Sequence, residues 1–125
     1  MRGTRKVKPH FKNGRYIIKG FHKKDFELTE YTWSHILKDR SRVYFEDHFD
    51  KIEATLKKPD RILQSRQEEN VVYYERFFDN FFIGNTVLGR VYVYILVNTK
   101  TERMRTVYFN PRRKGKKQIW PKVSK

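Results

Sequence analysis

The stretch from Arg90 to Val97, Arg-Val-Tyr-Val-Tyr-Ile-Leu-Val, is the longest run of strand-forming residues in the chain, and it constrains how everything else can be arranged. Side chains alternate across a strand, so Val91, Val93, Ile95 and Val97 share one face while Tyr92, Tyr94 and Leu96 share the other. Neither face is polar, which predicts a central strand with both sides covered. Helices should cover the valine side. Something flatter or wetter should meet the tyrosines, which makes the tyrosine face the first place to look for function.

Other segments supply the layers this strand needs. Asn13-Gly14, between Phe11 and Tyr16-Ile17-Ile18, is a hairpin signal, because a two-residue turn needs positions that accept positive φ. With the extended piece Asp25 to Leu28 after Gly20, it suggests a small amino-terminal hairpin. Thr29 can cap a short helix in which Trp33, Ile36 and Leu37 share a buried face and His35 lies at its edge. A second helix is expected from about Phe45 to Lys57, where Phe45, Phe49, Ile52 and Leu56 recur at helical spacing before Pro59. On that helix His48 should lie on the solvated flank.

From Asp60 the pattern turns to strands at 61–66, 71–78, 90–97 and 104–109, with turns at 68–70, from Asp79-Asn80 through Gly84-Asn85, and at 98–102. The expected class is α+β: two amino-terminal helices on one face of a four-stranded antiparallel sheet, plus the small hairpin. One domain over 11–120 would be flanked by a basic flexible arm, 1–10, and a basic tail, 121–125.

The partner is suggested by where the charge lies. The chain carries 29 Lys and Arg against 14 Asp and Glu. Residues 1–24 hold nine basic and no acidic side chains, as do residues 103–125, while 25–102 have a net charge of −3. Such ends favour a polyphosphate, because each neutralised phosphate releases condensed counterions. Nucleic acid is expected, and a membrane is not, since neither end has an amphipathic face to insert. Cysteine is absent, which removes disulfides and thiol chemistry. No apolar run approaches the ~20 residues of a membrane span and no signal-type segment opens the chain, so a cytoplasmic location is expected. The four histidines stand 12, 13 and 13 residues apart, without the short spacings of a zinc site, and neither metal nor cofactor is expected.

Five motifs occur in order: Trp33-Ser34-His35-Ile36-Leu37, Leu56-Lys57-Lys58-Pro59-Asp60, Val72-Tyr73-Tyr74, the valine-rich strand, and Thr106-Val107-Tyr108. Together, over about residues 26–120, they resemble phage-associated nuclease domains of the superfamily named after barnase, EndoU, colicin nucleases and RelE. The resemblance implies a metal-independent RNase with its site on the open sheet face, similar in size and charge to RelE-type toxins. It also implies an acidic antitoxin or immunity protein as a partner. It points to His35, Arg66, Tyr74, Arg76, Thr106 and Tyr108. Where related chains carry a His-Pro-type element after the first histidine, this one reads Lys38-Asp39-Arg40-Ser41.

Cleaving RNA without metal requires a base for the 2′-OH, a cation for charge developing on phosphorus and an acid for the leaving 5′-oxygen. His35 is the candidate acid or base, because imidazole titrates near neutrality. Arg66 and Arg76 are candidate phosphate ligands, and Thr106 and Tyr108 complete the catalytic set. Arg76 has the parity of Tyr74. Tyr74, Tyr92 and Tyr94 could stack bases beside Tyr108, with Arg90, Arg105, Arg112, Arg113 and Lys114 contacting phosphates. The alternatives are a non-catalytic RNA- or DNA-binding module on the same surface and a regulatory protein that docks an acidic partner.

Overall fold

The Arg90–Val97 run forms the inner part of β5 (Thr86–Asn98), the middle strand of a seven-stranded sheet. The structure is a computed structural model and describes residues 8–121. Before β5 come β1 (Arg15–Lys19), β2 (Asp25–Thr29), α1 (Glu30–Lys38), α2 (Phe49–Lys57), β3 (Arg61–Gln64) and β4 (Val71–Ile83). After it come β6 (Arg103–Asn110) and β7 (Gln118–Trp120). The sheet order is β1-β2-β6-β5-β4-β3-β7. Most of the arm expected over 1–10 and of the tail expected over 121–125 lies outside the described residues. No helix among the described residues is long and apolar enough to cross a membrane.

The expectation of a four-stranded antiparallel sheet was wrong: the sheet is larger and mixed. The β1–β2 hairpin does not stand apart, because β2 joins β6 in parallel through a single bridge, Glu27 to Arg103. The backbone N–H of Glu27 donates to the Glu102 carbonyl at 2.9 Å, and its carboxylate accepts from Arg15 at 2.9 Å and from Arg103. An ion triplet thus supports the junction. On the other edge, Gln118-Ile119-Trp120 adds β7 to β3. A one-bridge junction and a three-residue strand both lack a run long enough to show a period in sequence.

The valine face carries the main core. Val91, Val93, Ile95 and Val97 meet Trp33 and Ile36 from α1 and Phe49, Ile52 and Leu56 from α2. At the start of α1, Thr29 Oγ1 accepts from the Thr32 N–H at 3.1 Å. The second helix does not run unbroken from Phe45. Residues Val43–Asp47 form a 3₁₀ segment, and α2 begins after a break at His48. His48 is fully buried rather than on a solvated flank: its ring stacks on Phe81, and its Nε2–H donates to the Phe82 carbonyl at 2.8 Å.

Phe81 reaches His48 because β4 continues through Asp79-Asn80, where a turn was expected. Irregular pairing between Phe78 and Phe82 absorbs the two polar residues as a bulge, and the chain reverses only at Gly84-Asn85.

The tyrosine face has its own cover. Leu63, Tyr73 and Tyr94 form a second cluster with Tyr92, Leu96 and Tyr108 around it. Residues 111–117 cross this face between the end of β6 and the β3 edge. The Lys114 N–H donates to the Tyr94 hydroxyl at 2.9 Å, and the Gln64 N–H donates to the Lys117 carbonyl at 2.8 Å. Lys114 Nζ lies 5.2 Å from the Tyr108 ring centre and Lys116 Nζ 4.9 Å from that of Tyr73, within cation–π range.

Candidate nucleic-acid site

The residues expected to form one site fall in three places. Tyr74 and Arg76 share a face as their parity requires, but it is the helix face. Tyr74 pairs in register with Ile95 and lies in the main core, where burial pushes its hydroxyl up to about 12. Arg76 donates from Nη1 to the Lys58 carbonyl at 2.8 Å and lies over Phe78.

Beneath the 111–117 strap lies the second group. Glu75 is fully buried and accepts from Arg61 Nε and Nη2 and from the Tyr94 hydroxyl, each at 2.6 Å. Burial alone would raise the Glu75 carboxyl, but the hydrogen bonds from Arg61 and Tyr94 hold it below the usual carboxylate range. Arg113 approaches the same carboxylate at 3.7 Å. Burial raises the hydroxyls of Tyr94 and Tyr108. Arg66 donates to the Gly115 carbonyl at 3.3 Å, Arg112 is exposed, and Arg90 lies over Phe77 against which Tyr92 packs. Tyr94, with no exposed surface, is not a platform for a base in this arrangement.

The third group is a cleft of about 260 Å³ at the split between β2 and β6, and it brings together His35, Arg105 and Thr106. The sequence produces this split. Beyond the single Glu27–Arg103 bridge, β2 ends at Thr29, which caps α1, so the chain leaves the sheet as a helix and the outer edge of β6 has no strand partner among the described residues. His35 is exposed on α1 and faces into this gap.

A bulge in β6 arms the other wall. Leu96 pairs with Thr106 and Val97 with Met104, which leaves Arg105 as the extra residue. In a regular strand Arg105 and Thr106 would point to opposite faces; here both line the cleft. Arg105 Nη1 donates to Glu68 at 2.6 Å, an exposed pair of the kind that contributes little and exchanges easily.

Two further residues complete the wall. Arg42 Nε caps the free β6 edge by donating to the Val107 carbonyl at 3.0 Å, and Nη1 donates to Asp39 at 2.6 Å. Asp39 also accepts from the Ser41 hydroxyl at 2.6 Å and backbone N–H at 2.8 Å. Those Ser41 hydrogen bonds, with Arg42, hold the Asp39 carboxyl below its usual range. Asp39 is therefore a fixed anion that orients Arg42 and a weak base near neutrality. Tyr31, Thr32 and the buried Ile36 from α1 line the remainder.

Sequence reading missed Arg42, Asp39 and Tyr31. The signal available was Asp39-Arg40-Ser41-Arg42, whose Asx-type turn next to a helix end positions a guanidinium. Among the described residues, no three His, Asp or Glu side chains cluster as ligands for a metal ion.

With this geometry established, the chain was compared with known proteins. No family model, no curated protein and no solved structure matches it. The functional reading therefore rests on the cleft and on the charge distribution.

Proposed function

We propose that the protein is a metal-independent endoribonuclease for single-stranded RNA, and that the cleft between α1 and β6 is where it acts. One observation carries the reading: the β6 bulge brings both Arg105 and Thr106 into the lining of one cleft with His35 and Arg42. Two guanidiniums, a hydroxyl and an imidazole around a hollow of this size match what one phosphodiester requires.

In the proposed reaction His35 removes the proton of the 2′-OH as that oxygen bonds to phosphorus and the bond to the 5′-oxygen breaks. A 2′,3′-cyclic phosphate is left. Arg42 and Arg105 hold the non-bridging oxygens as their charge grows, and Thr106 donates a hydrogen bond to one of them. The cleft is open, so the leaving 5′-oxygen takes its proton from water, and His35 gives its proton to the hydroxide so formed. Lacking a second placed acid, the enzyme would be slow, since a positioned acid contributes about 10²–10⁴-fold.

The proposed site lies at the split edge of the sheet and not on the sheet face that the nuclease resemblance implies. A toxin or phage-derived effector paired with an acidic antitoxin is the matching biological proposal. A non-catalytic RNA-binding module is the second reading, favoured by the single histidine of the cleft.

Incubating end-labelled single-stranded RNA with the protein in EDTA distinguishes the two. Fragments ending in cyclic phosphate that vanish with His35→Ala and persist with Arg76→Ala support the enzyme, because Arg76 lies on the helix face. Retarded but intact RNA would overturn it and leave the binding module.

A further inference from the structure

We infer that Tyr31 is a base-stacking subsite of the same cleft, so that the preferred ligand is an unpaired nucleotide with its base on Tyr31 and its phosphate between Arg42 and Arg105. This rests on the reading of the cleft as a phosphodiester site and adds the part of the ligand that carries the base.

Tyr31 is 74% exposed. Its helix neighbours Trp33 and Ile36 are buried in the core, and Tyr31 is not part of that cluster. It lies in the first turn of α1, four residues before His35, which puts both side chains on one side of the helix. Their ring centroids are 4.5 Å apart with planes inclined at 64°, so the His35 ring meets the tyrosine edge-to-face. An aromatic wall thus runs from the rim into the cleft, where the arginines stand.

Each part corresponds to a part of a nucleotide. A tyrosine face offers stacking to any base, and guanidiniums lining the same cleft offer charge-assisted hydrogen bonds to phosphate. A base paired within a duplex is stacked between its neighbours and cannot lie flat on a protein ring, so the combination selects single strands. Of the tyrosines expected to stack bases, Tyr74 and Tyr94 are buried, and the half-buried Tyr92 and Tyr108 do not line the cleft. Tyr31 is the aromatic that both borders the cleft and offers its ring to solvent.

The test uses short single-stranded 2′-deoxy oligoadenylate, which cannot be cleaved through a 2′-OH, and an oligomer of equal length and charge without bases. Binding is followed by anisotropy of a labelled end at fixed low salt. Wild type should prefer the base-containing oligomer by about 5- to 150-fold per stacked base. Tyr31→Leu should lose that preference without changing affinity for the abasic oligomer, and Tyr31→Trp should keep or increase it. Arg105→Gln should weaken both oligomers alike.

A preference that survives Tyr31→Leu while Arg105→Gln weakens both would overturn the stacking subsite and leave the phosphate cleft standing. Equal binding of both oligomers by wild type, or binding of neither, would also overturn it. If Arg105→Gln then has no effect, the reading of the cleft falls as well.

Discussion

Replacing Glu75 by leucine removes the anion beneath the strap while leaving its cation in place. Glu75 accepts two hydrogen bonds from Arg61 and one from Tyr94, all at 2.6 Å, and has no exposed surface. In the variant, Arg61 remains almost entirely buried with the Lys114 carbonyl at 3.0 Å as its one remaining hydrogen-bond partner among the described residues. Removing one member of a buried ion pair costs about 3–5 kcal/mol, because the other charge stays desolvated. Tyr94 loses an acceptor but still accepts from the Lys114 N–H, and it belongs to the same network, so its loss does not add in full.

A cost of this size is a large part of a typical domain's stability and should lower Tm by roughly 10–20 °C. Denaturant melts followed by circular dichroism measure it. The double variant Arg61→Met with Glu75→Leu should recover most of the loss, since a buried pair replaced by apolar groups is often neutral. The reasoning fails if Glu75→Leu lies within about 1 kcal/mol of wild type, or if the double variant is no better than the single one.

Stability should fall with acid over two separate pH ranges. Burial lowers the His48 imidazole, so the unfolded chain binds more protons in acid; the stability this provides is complete above about pH 6.5 and is lost as pH falls below it. His48→Gln should flatten the dependence of Tm on pH between about 7 and 5. Glu27 and Glu75 lie below the carboxylate range, so their contribution is present above about pH 4.3 and is lost as pH falls further. At Gly20 an added Cβ would come within 2.5 Å of the Phe26 ring and 2.7 Å of the Leu56 carbonyl oxygen, so Gly20→Ala should cost about 1–3 kcal/mol in thermal melts. Thr29→Ala removes the α1 cap and should cost about 1 kcal/mol, read in the same way.

What could be read from the sequence follows the range of each interaction. The period-2 run of β5 assigned its own faces, and the Thr29 cap and the Trp33/Ile36 stripe located α1, because those signals are local. Asn13-Gly14 does turn, with φ of 54° and 75°. The Glu27–Arg103 bridge, the joining of β7 to β3 and the strap over Tyr94 are contacts across distant sequence, and no local pattern encodes them. Asp79-Asn80 resembled a turn because its composition is that of turns, yet Phe81, drawn onto His48, carries the strand through it. The parity of Tyr74 and Arg76 was legible, but which side of the sheet they meet was not. In the cleft, His35, Arg105 and Thr106 were visible as residue types, whereas Arg42 becomes relevant only because β6 has no partner strand there among the described residues, leaving the Val107 carbonyl to accept from it.

The central claim is that single-stranded nucleic acid is held at the split between α1 and β6 and not on the strap-covered sheet. Titrating isotope-labelled protein with uncleavable single-stranded oligonucleotide, and following amide and histidine ring resonances, tests this most directly. The account predicts that the largest shifts fall on Tyr31, His35, Arg42, Arg105 and Thr106, and that they diminish as salt is raised. Shifts centred instead on Arg112 to Lys117 and on Tyr73, Tyr94 and Tyr108, with the cleft resonances unmoved, would contradict it.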